Sequence, residues 1–162
     1  MELPKCAITK RWTGEILATG ETLKAAAESE ADLRGADLSE ADLRVADLSE
    51  ANLSGADGLP SDLIIPNIDA AILTAIETDG NKLDMDDWHR CETTHCRAGW
   101  AIHLAGPAGY ELEKKIGPNA AGALIYAVSR PDKRIPNFGA LTDEALADIR
   151  KCAAEQLAGE TP

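Results

Sequence analysis

The sequence predicts an α+β fold: an N-terminal β-hairpin, a short solenoid coil and an α-helical C-terminal domain. Three observations carry that prediction. A five-residue unit recurs without a slip from Ala31 onward, apolar residues after Gly58 return at helical spacing, and two β-prone runs flank Thr13-Gly14 ahead of the repeat. The boundaries fall at 1–30, 31–58 and 59–162.

Composition narrows the classes of function. The 162 residues are 44% apolar and 27% charged, and 16 basic against 28 acidic side chains give a net charge of −12. That balance repels phosphate backbones and anionic lipid, so neither direct nucleic-acid binding nor membrane-surface binding is expected. No apolar run approaches the roughly 18 residues of a membrane span, and Met1 to Gly20 has no greasy stretch of the kind a secretion signal uses. A cytoplasmic location is expected. Four cysteines, at positions 6, 91, 96 and 152, are too sparse for a disulfide scaffold, which agrees with reduced thiols.

The hairpin is read from Cys6 to Trp12 and Glu15 to Thr19, with the turn at Thr13-Gly14. A short helix from Thr22 to Glu28, with Thr22 as N-cap, completes an N-terminal cap against which Trp12 packs. The repeat follows as ADLRG, ADLSE, ADLRV, ADLSE, ANLSG and a closing AD, five complete units and the start of a sixth. Its period matches neither the helical value of about 3.6 nor the strand value of about 2. A chain that turns a corner every fifth residue satisfies it. Leu33, Leu38, Leu43, Leu48 and Leu53 then meet on a common axis, Ala31, Ala36, Ala41, Ala46, Ala51 and Ala56 fill the space beside them, and the other positions face water.

A-(D/N)-L-x-x in tandem resembles the pentapeptide-repeat family, over residues 31–57. The resemblance implies a right-handed quadrilateral β-helix with four units to a coil, the central Leu and the Ala two residues before it lining the interior. Five units make little more than one coil. Family members that imitate a DNA duplex and block gyrase stack many coils, and one coil rises only about 4.8 Å, so that activity is not expected here. A lone coil leaves apolar ends that need caps, and an uncapped end favours a homodimer.

Beyond Gly58-Leu-Pro-Ser the pattern is helical. Ile68, Ala71, Ile72, Ala75 and Ile76 form one stripe between Asn67 and Gly80. A second helix is read from about Thr94 to Ala105. Pro107 opens a third, carrying Leu112, Ile116 and an exposed Glu111 to Lys115 pair. After Gly117-Pro118 a fourth sets Ala121, Leu124, Ile125 and Val128 on one face and ends near Arg130-Pro131, leaving Arg130, Lys133 and Arg134 in a solvated loop. The last, from about Thr142 to Leu157, buries Leu146, Ile149, Ala153 and Leu157, with Asp143 and Glu144 at the positive end of its dipole.

Chemically versatile side chains concentrate between Trp88 and His103, where all three histidines and two of the cysteines lie. Several readings compete. Zinc needs four nitrogen or sulfur donors, and His89, Cys91, His95, Cys96 and His103 offer them, with Cys96 and His103 on one helix face and Cys91 and His89 reaching in from the preceding loop. The usual closely spaced Cys and His knuckles are missing. For thiol chemistry, Cys96 in the first turn of a helix gains thiolate stabilisation from the dipole, with His95 or His103 as base. A Cys91 to Cys96 bond is a third arrangement, and a helix start whose histidines bond neighbouring loops is the fourth. The stretch from Cys91 to Ala101 is also similar to segments of uncharacterised bacterial and phage-borne pentapeptide proteins, which implies a bacterial or phage origin and no particular activity.

Asp84, Asp86 and Asp87 lack the alternating oxygen ligands and closing Glu of an EF-hand loop and read as a solvated turn. Asp32, Asp37, Asp42 and Asp47 precede the first four central leucines, and residues 31–58 hold seven acids against two arginines. The sequence therefore leads to a non-enzymatic interaction protein whose acidic repeat surface meets a basic groove on a protein partner and competes with nucleic acid for it. The alternative is a zinc-binding or thiol-dependent protein centred on Cys91, His95, Cys96 and His103.

Overall fold

The computed structural model describes residues 7–10, 16–19, 32–39, 41–44, 46–87 and 89–159. The architecture is mixed helix and short strand, as the sequence predicts. Strands β1 (Ala7–Lys10) and β2 (Ile16–Thr19) pair antiparallel, with Ala7 opposite Thr19, which is the expected hairpin. Strand β3 (Ala36–Asp37), inside the repeat, adds to the other edge of β1 and ties the hairpin to the repeat block. The helix expected over Thr22 to Glu28 and the packing role expected of Trp12 lie outside the described residues.

The repeat obeys its period at every described unit. The N–H of Ala36, Ala41, Ala46, Ala51 and Ala56 donates to the carbonyl of Leu33, Leu38, Leu43, Leu48 and Leu53, respectively, at 3.0–3.1 Å. Each unit is thus one tight turn with Leu at its entry and Ala at its exit. The five leucines are 2–4% exposed. Ala36, Ala46 and Ala51 are buried beside them, and Ala41 and Ala56 partly so. Four units after it starts, the chain comes back alongside itself: Asp32 bridges Asn52 and Asp37 bridges Asp57, both parallel. The N–H groups of Leu33 and Leu38 donate to the carbonyls of Asn52 and Asp57 at 2.9 and 3.0 Å. A closed rod of stacked coils is not formed among the described residues.

The Asp or Asn before each Leu has a backbone role. Its side-chain oxygen accepts from the N–H two residues on, Asp32 from Arg34, Asp37 from Ser39, Asp42 from Arg44, Asp47 from Ser49 and Asn52 from Ser54, at 3.0–3.3 Å. Short polar side chains that mimic a backbone turn in this way are the reason that Asp and Asn suit corners. Gly58, at φ +77°, closes the block where a Cβ would stand 2.5 Å from the backbone nitrogen of Ser39.

Helices follow: α1 (Ile68–Glu77), α2 (Arg97–Leu104), α3 (Gly106–Ile116), α4 (Pro118–Ser129) and α5 (Thr142–Gly159). Between α1 and α2 a small sheet orders β4 (Lys82–Leu83), β6 (Thr94–His95) and β5 (His89–Cys91), with β6 central. The core is continuous, joining the repeat leucines to Ile68, Ile72, Trp100, Ile102, Ile125 and Ile149.

Several sequence expectations need correction. Helix α2 starts at Arg97, because Thr94 and His95 are spent on the central strand β6. Asn67, at φ 49°, makes no side-chain cap on α1; Gln156 Oε1 of α5 instead accepts from the N–H groups of Asp69 and Ala70 at 3.1 and 3.2 Å. Glu111 pairs with Lys114 three residues on, at 2.7 Å, rather than with Lys115. Leu157 is 56% exposed, and the buried face of α5 runs through Ala145, Ile149, Cys152 and Ala153. The loop after α4 is not simply solvated, since Arg130 and Arg134 are both bound into it and Lys133 pairs with Glu155.

Helices α2 and α4 cross at a glycine. A Cβ on Gly122 would stand 2.6 Å from the Cβ and 2.9 Å from the Cα of Ala98. Gly122→Ala forces these helices apart, and overpacking of this kind costs about 1–3 kcal/mol. Thermal unfolding followed by circular dichroism should show a lowered midpoint with the helical signal kept at low temperature.

Candidate functional site

The strand and helix around residues 89–103 place the expected site residues individually. His95, at the end of β6, is 1% exposed. Its Nε2 lies 3.1 Å from the Glu92 carbonyl oxygen, and its ring stacks on His103 at 4.9 Å between centroids. Trp100 packs edge-on against both imidazoles and donates its indole N–H to the Lys82 carbonyl at 3.0 Å, pinning β4 to α2. His103 Nδ1 stands 2.9 Å from the Tyr110 hydroxyl of α3. The two histidines therefore join Trp100 and Tyr110 in one aromatic stack between the small sheet and two helices.

The cysteines take different positions. Cys96 is the N-cap of α2, its sulfur accepting from the Gly99 N–H at 3.3 Å. Burial pushes its thiol up, against the pull of the helix N–H groups. Cys91, at the end of β5, is exposed, with Sγ 3.2 Å from Thr93 Oγ1. Hydrogen bonding from Thr93 and Thr94 lowers its thiol to about 7. His89 contributes its backbone to β5, and its side chain lies outside the description. Among the described residues no three His, Cys, Asp or Glu side chains are grouped to hold a metal ion.

On the repeat, Asp32, Asp37, Asp42 and Asp47 lie at successive corners. Asp32 and Asp42 each receive a two-pronged bond from the arginine two residues on, Arg34 and Arg44, with Nε–H donating at 2.8 Å in both. The side-chain bond from Arg34 holds the Asp32 carboxyl down at about 2. The Ser units, with Asp37 and Asp47, carry no arginine of their own. Asn119, at the start of α4, donates to Asp47 at 3.2 Å.

Sequence reasoning missed the most elaborate polar arrangement among the described residues. Asp69 on α1 is fully buried, and Arg97 on α2 is 1% exposed. Arg97 donates through Nη2 to Asp69 at 2.7 Å, through Nη1 to Asp148 at 2.6 Å and through Nε to the Tyr126 hydroxyl at 2.9 Å. Arg130 donates to the second Asp69 oxygen at 3.0 Å, Gln156 Nε2 to the same oxygen at 3.1 Å, and Tyr126 to the first at 3.2 Å. The Tyr126 ring lies 5.3 Å from the Arg97 guanidinium carbon and 4.9 Å from that of Arg130. Burial pushes the Tyr126 hydroxyl up, so it stays a donor at physiological pH. These residues come from α1, α2, α4, α5 and the loop after α4, so no local spacing announces them. The signals present were slight: an acid beside the apolar stripe of α1, and Tyr126 four residues before Arg130.

The comparisons with known proteins concern the repeat alone. The family described as pentapeptide repeats (8 copies) matches residues 29–57, so this block is a pentapeptide-repeat segment. Neither a curated protein nor a solved structure matches the chain. No helix among the described residues is long and apolar enough to cross a membrane.

The buried charge cluster generates a stability prediction. Asp69→Asn keeps the shape but leaves two arginines sharing a neutral amide, and breaking a buried pair from one side costs about 3–5 kcal/mol. Urea unfolding of the variant should show a clearly lower midpoint with an unchanged slope.

Proposed function

We propose that the chain is a non-enzymatic macromolecular interaction protein that offers the outer corners of its pentapeptide-repeat block to a basic groove on a protein partner, in competition with nucleic acid. The block is read as about one coil of right-handed quadrilateral β-helix. Support comes from one turn per five residues and from the parallel bridges between positions 32 and 52 and between 37 and 57. The observation that carries the reading is the separation of roles within each unit: Leu is buried, and Asp sits at the corner, exposed at positions 32 and 47 and half-buried at 37 and 42. Carboxylates set at successive corners around the coil give the block an acidic girdle, and such a field on an acidic chain complements a basic surface and steers its approach. Arg34 and Arg44 offset Asp32 and Asp42.

The test exploits the turn chemistry. Asn52 makes the same backbone bond as its aspartate counterparts, so Asp37→Asn with Asp47→Asn removes two charges and keeps both corners. Immobilised wild-type chain should retain from a bacterial lysate a basic, nucleic-acid-binding protein that duplex DNA elutes, and the double variant should lose it. Retention of no such protein, or equal retention by the double variant, overturns the reading.

A second reading places zinc or thiol chemistry at Cys91, His95, Cys96 and His103. The observation in its favour is the exposed Cys91 with its lowered thiol. A thiol held at about 7 is half thiolate there, so Cys91 should be alkylated by iodoacetamide with a pH midpoint near that value, ahead of buried Cys96 and Cys152. Peptide mass spectrometry across pH reads this directly. A midpoint near the ordinary thiol value removes the thiol version.

A further inference from the structure

The loop between α4 and α5 lies along the repeat as a strap. Ile135 exchanges backbone bonds with Glu50 and Ala51 at 3.1 and 2.9 Å, Arg134 Nη1 donates to the Glu50 carbonyl at 2.9 Å, and the Phe138 N–H donates to Ser49 Oγ at 3.3 Å. Ser54 Oγ donates to the Pro131 carbonyl at 2.9 Å, nearer the start of the strap. Ser49, Glu50 and Ala51 are thus gripped at one corner, and Glu50 is held through both its N–H and its carbonyl.

That corner differs from its counterparts. Each unit turns between Leu and Ala, and a four-residue turn whose third residue has positive φ favours glycine at that place. The first and fifth units supply one, with Gly35 at φ +65° and Gly55 at φ +69°. A Cβ on either glycine would meet nothing within 4 Å, so the backbone angle calls for glycine there and crowding does not. The fourth unit makes the same turn with Glu50 at φ +62°. Asn and Asp enter this region with the help of a short polar side chain that bonds locally, and the longer Glu lacks that help. Residues held so persist where the surrounding structure over-determines them. At Glu50 the strap is that surrounding structure.

We infer that the strap and the Glu50 corner form a strain-loaded clasp, a two-state device at the junction of the repeat and the helices. In the closed state the backbone bonds to Ile135 and the Arg134 guanidinium hold Glu50 in the left-handed region. In the open state the strap lifts, Glu50 returns to negative φ and the edge at residues 49–51 is bared. The strain released offsets part of the cost of breaking the clasp bonds, so the junction opens locally while the apolar core stays packed. A partner with different affinity for the two states shifts the balance between them. The clasp does not depend on what the acidic corners bind, and its failure leaves the interaction reading untouched.

Amide hydrogen exchange of the whole chain, followed by NMR and corrected for intrinsic rates, tests the clasp. The Ile135 N–H reports on it, and the Trp100 N–H, bonded to the Cys96 carbonyl, is the core reference. Ile135 should exchange about tenfold or more faster than Trp100, at a rate little changed by low urea. Glu50→Gly should slow Ile135 about threefold or more, because the left-handed cost it removes outweighs the extra freedom that glycine gives the open chain. Glu50→Ala removes the carboxylate but keeps the Cβ, and should leave the rate within about twofold of wild type. Arg134→Ala should speed Ile135 about threefold or more while Trp100 is unchanged. Equal effects of Gly and Ala at position 50 overturn the inference, as does an Ile135 amide that exchanges only together with Trp100.

Discussion

A carboxylate with no access to water organises the helical domain. Asp69 would be prohibitively costly to bury alone, because the protein interior returns little of the hydration that an ion gives up. It is accommodated because Arg97, Arg130, Tyr126 and Gln156 converge on its two oxygens from three different helices and a loop. Each of those partners is itself held: Arg97 by Asp148, Arg130 by the Arg134 carbonyl, and Gln156 by the first turn of α1. The packing of α1 on α5 and of α2 on α4 is therefore specified by charge geometry as well as by apolar fit. Hydrophobic contact alone would tolerate small slips along these helices. Bonds near 2.7 Å to a buried ion do not.

The repeat block reaches order by a different route. Apart from the two residues of β3 its described units enter neither helix nor sheet, and each turns its corner with one Leu-to-Ala backbone bond and one Asp or Asn side chain. The aspartates that the sequence presents as a docking surface are thus first of all architectural. Their regular placement follows from the same bond that makes the corner, so charge is spaced around the coil without a separate constraint. Arg34 and Arg44 then decide how much of that charge is offered to the surroundings.

Legibility in the sequence tracked the range of the interactions concerned. The five-residue period, the inward leucines, the hairpin and the apolar stripe of α1 are all local or periodic, and each could be read directly from residue spacing. Helix starts were less secure. The beginning of α2 moved because β6 takes two residues that helical spacing would have used, and a two-residue strand leaves almost no pattern. The cap of α1 comes from Gln156, 87 positions away from Asp69, and the partners of Asp69 are spread almost as widely. At the histidines the sequence identified the right neighbourhood but not the arrangement, since the stacking of His95 on His103 depends on how Trp100 anchors to β4.

The corner bond of the repeat carries an evolutionary consequence. Because the N–H groups of Leu33 and Leu38 donate to the carbonyls of Asn52 and Asp57 one coil further along the same chain, an inserted or deleted residue between them would set every later side chain on the wrong side of the wall. Lineages can lengthen or trim this stretch only in whole quintets, and only twenty-residue steps preserve which side of the block meets the strap from the helical domain.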